Sequence, residues 1–308
     1  MQTTLQKTVS FDGIALHSGA PVRLSVHPAP ADTGVVFERS DIAGPLAARQ
    51  VPVRHDALIE TSLCTRIGND AGVTISTIEH LMAALAGCGI HNAHITLDGP
   101  EVPILDGSAR PFVAAFLAAG LRRQVAPLRA LRVLRPIEVR MDQAWARLEP
   151  APRMSMSFEI DFPDAAIGHQ QKDLVLCNGT FVRELADSRT FCRQQDVDFM
   201  RANGLALGGS YENAVVVRGA SVLNPGGLRH ADEPVRHKML DALGDLAVAG
   251  APILGRYVGY RAGHTLTGRL VRALLADPGA YARVIVTEDE AHSLPGAGLC
   301  EADLALSA

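Results

Sequence analysis

The sequence predicts an α+β fold made of two similar α+β halves that face each other. Two observations carry this reading. At 308 residues the chain exceeds the size at which one hydrophobic core usually suffices, so two domains of about 150 residues each are expected. The order strand layer, helix, strand, helix then occurs twice along it, although no sequence repeat is visible.

The first half opens with short β-like segments, "QKTVSF", "VRLSVHPA" and "GVVFERS", punctuated by Gly and Pro. After "VRHDALIETSLCTRI" comes "ISTIEHLMAALAG", a helix of about three turns. Ser76 and Glu79 stand there in capping-box spacing, and Gly87 supplies a stop. A strand, "AHITLDG", and a helix, "SARPFVAAFLAAG", follow. The stretch "LRRQVAPLRA", 121–130, reads as the connection, dividing the chain into domains 1–125 and 126–308. The second half repeats the order with strands "RVLRPIEVR", "WARLEP" and "MSMSFEIDF", a helix "VRHKMLDALGDL", a strand "RYVGYRAG" and a helix "TLTGRLVRALLAD". Near 192–217 an interruption carries a short helical piece ending at Gly204 and a Gly-rich apolar strand, and extra substructure of this kind is often functional.

Composition narrows the function classes. Hydrophobic content of 47% describes a globular chain, and a formal charge of −4 from 29 basic and 33 acidic residues includes no basic block for a row of phosphates. Nucleic acid is therefore not an expected partner. Five cysteines, odd in number and without a CxxC pair, argue against a disulfide framework and a cysteine zinc site, and a reducing cytoplasm fits them. The N-terminus has no apolar signal core, and "FVAAFLAAGL" is about half a membrane span, so no integral membrane segment is expected.

The chemistry concentrates in "VRHKMLDALGDL". At about 100° per residue, His237, Asp241 and Asp245 fall within roughly an 80° arc, opposite Val235, Met239, Leu243 and Leu246. Gly244 lies inside that stripe, where a helix interior normally avoids Gly, which suggests a close approach. An apolar face packed on its own sheet would turn the His/Asp stripe toward the other half. There, Glu79 and His80 sit on the equivalent helix. A catalytic zinc takes three N and O ligands and leaves a fourth position for water, and His80, His237 and Asp241 can supply them, since i and i+4 side chains converge. Glu79 beside a ligand suits proton abstraction, as in HExxH hydrolases, although a capping-box glutamate needs no such role. His264, in "RAGHTL", is a candidate acid with Asp245 holding its imidazole. Lys238 reads either as a solvent-facing lysine or as a cation near a reacting oxygen.

The strings "GIALHSG", "ISTIEHLMAALAGCGI", "PEVPILDGSARPF", "SRTF", "LGGS", "VRHKMLDALGDL" and "RAGH" resemble, in order and spacing and over almost the whole chain, the UDP-3-O-acyl-N-acetylglucosamine deacetylases. These are zinc enzymes that commit a cell to lipid A synthesis. The resemblance implies two βα sandwich halves, with helices packed face to face and the metal between them: His80, His237 and Asp241 as ligands, Glu79 as general base, His264 as general acid and Asp245 as its partner. It also implies that Thr190 of "SRTF" helps stabilise the oxyanion while Lys238 assists electrostatically; Thr190 also reads as a strand-end hydroxyl. The implied substrate is an acylated UDP-sugar, with Phe162 against uracil, Phe191 against the sugar and Arg261 near the diphosphate. Leu16, Leu205, Gly209 and Ser210 belong to the implied substrate contacts, and Gly208 and Gly209 are expected to leave room for the acyl chain. The chain departs from the family's usual residues at Cys192 and Arg193, which follow "RTF", and at Glu149. A monomer is expected. Two competing readings are a zinc amidohydrolase for another N-acetyl sugar and a non-catalytic binder of acylated nucleotide sugars. Hydrolysis of a nucleotide-linked sugar but not free N-acetylglucosamine separates the first, and turnover separates the second.

Overall fold

In the strand Pro21–Pro28, Val22, Leu24 and Val26 are buried while their neighbours face outward, the period-two pattern of a sheet with one side on the core. The computed structural model describes residues 1–305; residues 306–308, the end of the expected second domain, lie outside the described residues. Pro21–Pro28 (β2) belongs to a five-stranded sheet with Val9–Ile14 (β1), Val35–Arg39 (β3), Gln50–Pro52 (β4) and Ala93–Leu97 (β5), in the order β1-β2-β5-β3-β4. A second five-stranded sheet contains Ile137–Met141 (β6), Ala144–Glu149 (β7), Ser155–Asp161 (β8), His169–Val175 (β9) and Arg256–Tyr260 (β10), in the order β6-β7-β10-β8-β9.

Order and direction match strand for strand. In each sheet the central strand is antiparallel to one neighbour and parallel to the other: β5 to β2 and β3, β10 to β7 and β8. A parallel neighbour requires a crossover connection. That crossover carries a helix in both halves, Glu79–Gly87 (α1) before β5 and Glu233–Ala247 (α3) before β10. A second helix follows each central strand, Arg110–Ala119 (α2) and His264–Ala276 (α4). Sequence self-similarity has gone, but the topology of two similar α+β halves remains.

The helices α1 and α3 make the largest contact between any two described elements. Gly244 permits it, because a Cβ there would overlap the Glu79 carbonyl oxygen and press on the Ala83 amide. Val235, Met239, Leu243 and Leu246 are buried, and so are His237, Asp241 and Asp245, so α3 is enclosed on every side. Glu233, fully buried at the start of α3, accepts from Arg189 Nε at 2.9 Å and Nη2 at 3.1 Å, and from the Arg189 and Arg229 amides at 2.9 and 2.7 Å. A buried carboxylate is tolerable only with such complete pairing. The result is that the segment 188–190 is tied to the first turn of α3.

Four local expectations are corrected. Ser76 does not cap α1: the helix begins at Glu79 itself, Ile78 occupies the cap position, and no side chain caps it. The connection at 121–130 carries two strands, Leu121–Arg123 paired antiparallel with Thr3–Leu5, and Arg129–Val133 paired with Tyr281–Ile285 and Ile253–Leu254. "RVLRPIEVR" is divided between two strands of different sheets around Pro136, which cannot donate to a ladder. In the interruption, Phe191–Arg193 and Val215–Arg218 form a parallel pair bridged by the helix Gln194–Ala202, but Leu205–Ser210 is turn rather than strand.

Replacing Gly244 by Ala forces α3 away from the α1 backbone. Overpacking typically costs about 1–3 kcal/mol, and Gly244→Ala is expected at or above the upper end, because the clash is with backbone. Denaturant unfolding of the two proteins measures it; a change within about 0.5 kcal/mol would show that the helices can separate freely.

Candidate metal centre and proton-transfer groups

At the crossing of α1 and α3, His80, His237 and Asp241 bring one potential ligand atom each to within 4.8 Å of one another, and all three are buried. Asp241 Oδ1 is the focus: His237 Nε2 lies 3.2 Å and His80 Nε2 3.5 Å away, and the two rings meet edge to face at 4.9 Å. The His237 Nδ1 is 3.0 Å from the Ser188 carbonyl, which only accepts, so Nδ1 carries the hydrogen and Nε2 presents its lone pair inward. Burial holds His237 below its ordinary pKa despite Asp241. Burial alone would raise Asp241, yet His237 and Lys238 keep its carboxyl well below the usual carboxylate range.

A neutral imidazole and an anionic carboxylate thus face each other acceptor to acceptor. Asp241 Oδ1 is buried and makes no hydrogen bond, an arrangement that costs free energy unless a cation sits among the three atoms. The donors N, N and O are those of a metal site with room for a further ligand. The residues therefore fit a divalent ion. Lys238 is not solvent-facing: its ammonium bonds the other Asp241 oxygen, Oδ2, at 3.0 Å. Burial opposes that charge, but Asp241 raises the lysine pKa overall.

Beside this centre lies a second cluster. His264, at the start of α4, places Nδ1 at 3.1 and 3.2 Å from the two Asp245 oxygens, and its Nε2 is 3.9 Å from Glu79 Oε1. Burial would lower His264, but Asp245 and Glu79 raise it to about 9. Glu79 is raised above the ordinary glutamate value chiefly by burial, partly offset by His264 and His80. With the cap role gone, the Glu79 carboxylate accepts from the Thr65 amide at 2.9 Å.

Thr65 escaped the sequence reading. Its amide holds Glu79 while its hydroxyl donates to Asp245 Oδ1 in a short bond and lies 3.4 Å from His264 Nδ1. One residue therefore orients both titrating groups. It directly precedes a strand, Arg66–Gly68, in a segment without helical or alternating pattern, so no local signal marked it. Ser188 was equally hidden, because it acts through its carbonyl.

The remaining predicted residues divide into two groups. Thr190 is half-buried, its amide donating to Gly107 O and its carbonyl accepting from Val215 N. Phe191, next in sequence, stands edge to face with His237 at 6.3 Å and with Phe162 at 5.4 Å, so Phe191 adjoins the metal-competent centre and Phe162 packs on Phe191. Arg261 is exposed with φ +50, its amide bonded to Glu159 O, three residues before His264. Leu16, Leu205, Gly209 and Ser210 gather elsewhere: Gly208 N donates to Leu16 O, and Leu205–Ser210 forms a turn laid on residues 15–19. Gly208 does not leave room for an alkyl chain, since a side chain there would strike the Ala15 carbonyl. The glycine serves a backbone approach. Glu149 and Arg193 are occupied by ion pairs, with Arg147 at 3.2 Å and Asp196 at 2.7 Å.

Residues 2–276 match the family model described as UDP-3-O-acyl N-acetylglycosamine deacetylase. A curated UDP-3-O-acyl-N-acetylglucosamine deacetylase of Shewanella sp. (strain W3-18-1) is 49% identical over 282 residues, 91% of either chain. One from Shewanella oneidensis is 48% identical over 294 residues, 95% of either chain. With the family model matching residues 2–276 and relatives of nearly half identity over most of their length, the chain belongs to the UDP-3-O-acyl N-acetylglycosamine deacetylase family.

Proposed function

We propose that this chain is a zinc-dependent amide hydrolase that removes the N-acetyl group of UDP-3-O-acyl-N-acetylglucosamine, releasing acetate and the free 2-amino sugar nucleotide, the committed step of lipid A biosynthesis. The observation that carries this reading is the buried, unbonded Asp241 Oδ1 faced by two imidazole nitrogens, beside an acid–base pair. His80, His237 and Asp241 would hold the ion. Zinc, when bound at such a site, brings a water's pKa down to about 7 and polarises a carbonyl.

The chain's own groups do the rest. Glu79, its pKa raised by burial, is the base that takes the proton from the attacking water. Its carboxylate is aimed by the Thr65 amide. His264 keeps its proton through neutral pH because of Asp245 and gives it to the departing amine. Thr190 and the Lys238 ammonium would stabilise the negative charge that develops on the carbonyl oxygen, a role worth about 2.7–4 kcal/mol for an oxyanion donor. Phe162 and Phe191 form an aromatic wall for uracil and sugar, and Arg261 serves the diphosphate. Leu16, Leu205, Gly209 and Ser210 flank the acyl chain, which passes over the turn rather than through the space beside Gly208. Every group comes from one chain, so a monomer suffices, with a boundary between halves near residue 125. No described helix is long and apolar enough to cross a membrane, and all five cysteines are free, in keeping with a cytoplasmic enzyme.

The reading is tested by metal analysis and acetate release from the acylated UDP-sugar before and after chelation. Activity is expected to vanish with the metal and return with Zn²⁺, while free N-acetylglucosamine is not hydrolysed; hydrolysis of the free sugar would favour another amidohydrolase. His237→Ala and Asp241→Ala should each lose stoichiometric zinc. Glu79→Gln should retain zinc and substrate binding but lose about 10²–10⁴-fold in kcat; near-normal turnover would refute the base assignment. Thr65→Val should cost about 10–100-fold, with Thr65→Ser restoring most of it.

The pH dependence has a defined sign. The folded pKa of His264 lies above its ordinary 6.5, so its proton stabilises the fold fully below about 6.5, and that contribution is lost as pH rises through about 9. In metal-free protein, an NMR titration should place His264 near 9, and Asp245→Asn should lower it. Bound zinc adds positive charge and moves it down as well. An unchanged titration in Asp245→Asn would break the assigned pairing.

A further inference from the structure

On the sides of α1 and α3 turned away from His80 and Asp241, the two helices floor a second cavity of about 620 Å³. Its size falls within the roughly 300–1,000 Å³ typical of small-molecule sites. Ala86 of α1 and Ala247 of α3 are the partly exposed residues of its floor, joined by Ala251 and by Leu299 of the C-terminal segment, while Met82, Leu85, Leu243 and Leu246 are buried. Residues from both halves complete the walls, from the N-terminal Met1–Thr3 to Pro252 and Ile253.

The lining is electrically one-sided. Four arginines, Arg54, Arg123, Arg129 and Arg283, border the cavity against one carboxylate, Asp32. Asp32 is neutralised by Arg129 at 3.0 Å, and Arg54 is paired with Asp56 at 2.6 Å. Arg123 and Arg283 have no carboxylate partner among the described residues; the Arg283 guanidinium rests 6.0 Å from the Tyr281 ring centre. His91 adds no charge, because burial lowers it to about 4 and its Nδ1 accepts from the Thr3 amide. An apolar floor beneath two uncompensated guanidinium groups complements a ligand with an alkyl chain and a compact anionic head.

We propose that this cavity is a second ligand site, separate from the metal centre, for a free single-chain anionic amphiphile. The alkyl chain lies along Ala86, Ala247, Ala251 and Leu299, and the head is held by Arg123 and Arg283. Because the floor is the reverse side of the same two helices that carry the metal-competent residues, the occupant touches the scaffold of the centre without entering it.

Calorimetric titration of the zinc-loaded full-length protein with dodecyl phosphate, kept below its critical micelle concentration, tests the site. One saturable event is expected, weakened about tenfold or more in the Arg123→Gln/Arg283→Gln double variant, whose exposed side chains lie away from the catalytic groups and whose acetate release should be unchanged. Dodecanol and inorganic phosphate should each bind about tenfold or more weakly than dodecyl phosphate. Ala86→Trp, which fills the cavity from α1, should abolish the event, and the arginine pair keeps the test decisive if that variant folds poorly. Absent binding, or binding that the double variant leaves unchanged because the chain has entered the substrate site, overturns the proposal. So does binding to anionic vesicles without binding to monomeric dodecyl phosphate, which would point to a lipid surface.

Discussion

The close crossing of α1 and α3 is the constraint on which the rest of the molecule depends. Each helix belongs to its own sheet as the crossover into a parallel central strand, and each half would bury that helix by itself only on one side. Bringing the two together buries the other side, and with it Glu79, His80, His237, Asp241 and Asp245. The absence of a side chain at Gly244 is what lets the α1 backbone lie close enough for a histidine on one helix to share an oxygen with a histidine and an aspartate on the other.

Burying so many ionisable groups is costly, and the structure offsets the cost unevenly. Glu233 and Arg189 are matched bond for bond and serve to anchor the segment that reaches His237 through Ser188. Asp245 is matched by His264 and Thr65. Asp241 is satisfied on one oxygen only, by Lys238, and its other oxygen faces the His237 lone pair. A deficit of positive charge at one atom, inside an otherwise paired network, separates a metal-competent centre from a structural ion cluster. The same burial that raises Glu79 would, without Asp245, have pulled the proton off His264; a neighbouring carboxylate sends the two groups into complementary protonation states.

Much of this was legible in the residues. The i, i+4 stripe of α3 and its apolar opposite face follow from helical periodicity, and the misplaced glycine within the stripe signalled a close approach before any partner was known. Repetition of the strand–helix order pointed to two similar halves, though it could not show that strand order and direction match throughout. The Ser76–Glu79 capping box failed because capping depends on where the helix begins, and the chain enters α1 through residues that pair with the 100–102 segment instead, Ser76 N donating to Pro100 O. The space beside Gly208 failed for a related reason: a missing side chain shows that something is near, but not whether it is a ligand or the chain's own backbone.

The residue sequence by itself determined which groups carry the chemistry and which helix faces present them, because side-chain identity and helical phase are local properties. Tertiary structure alone decided what Thr65 and Ser188 do, that Lys238 is bound to Asp241, and that a cationic, apolar-floored cavity lies behind the same helices. Each of those depends on segments far apart in the chain meeting at hydrogen-bond distance, and no local pattern encodes such a meeting.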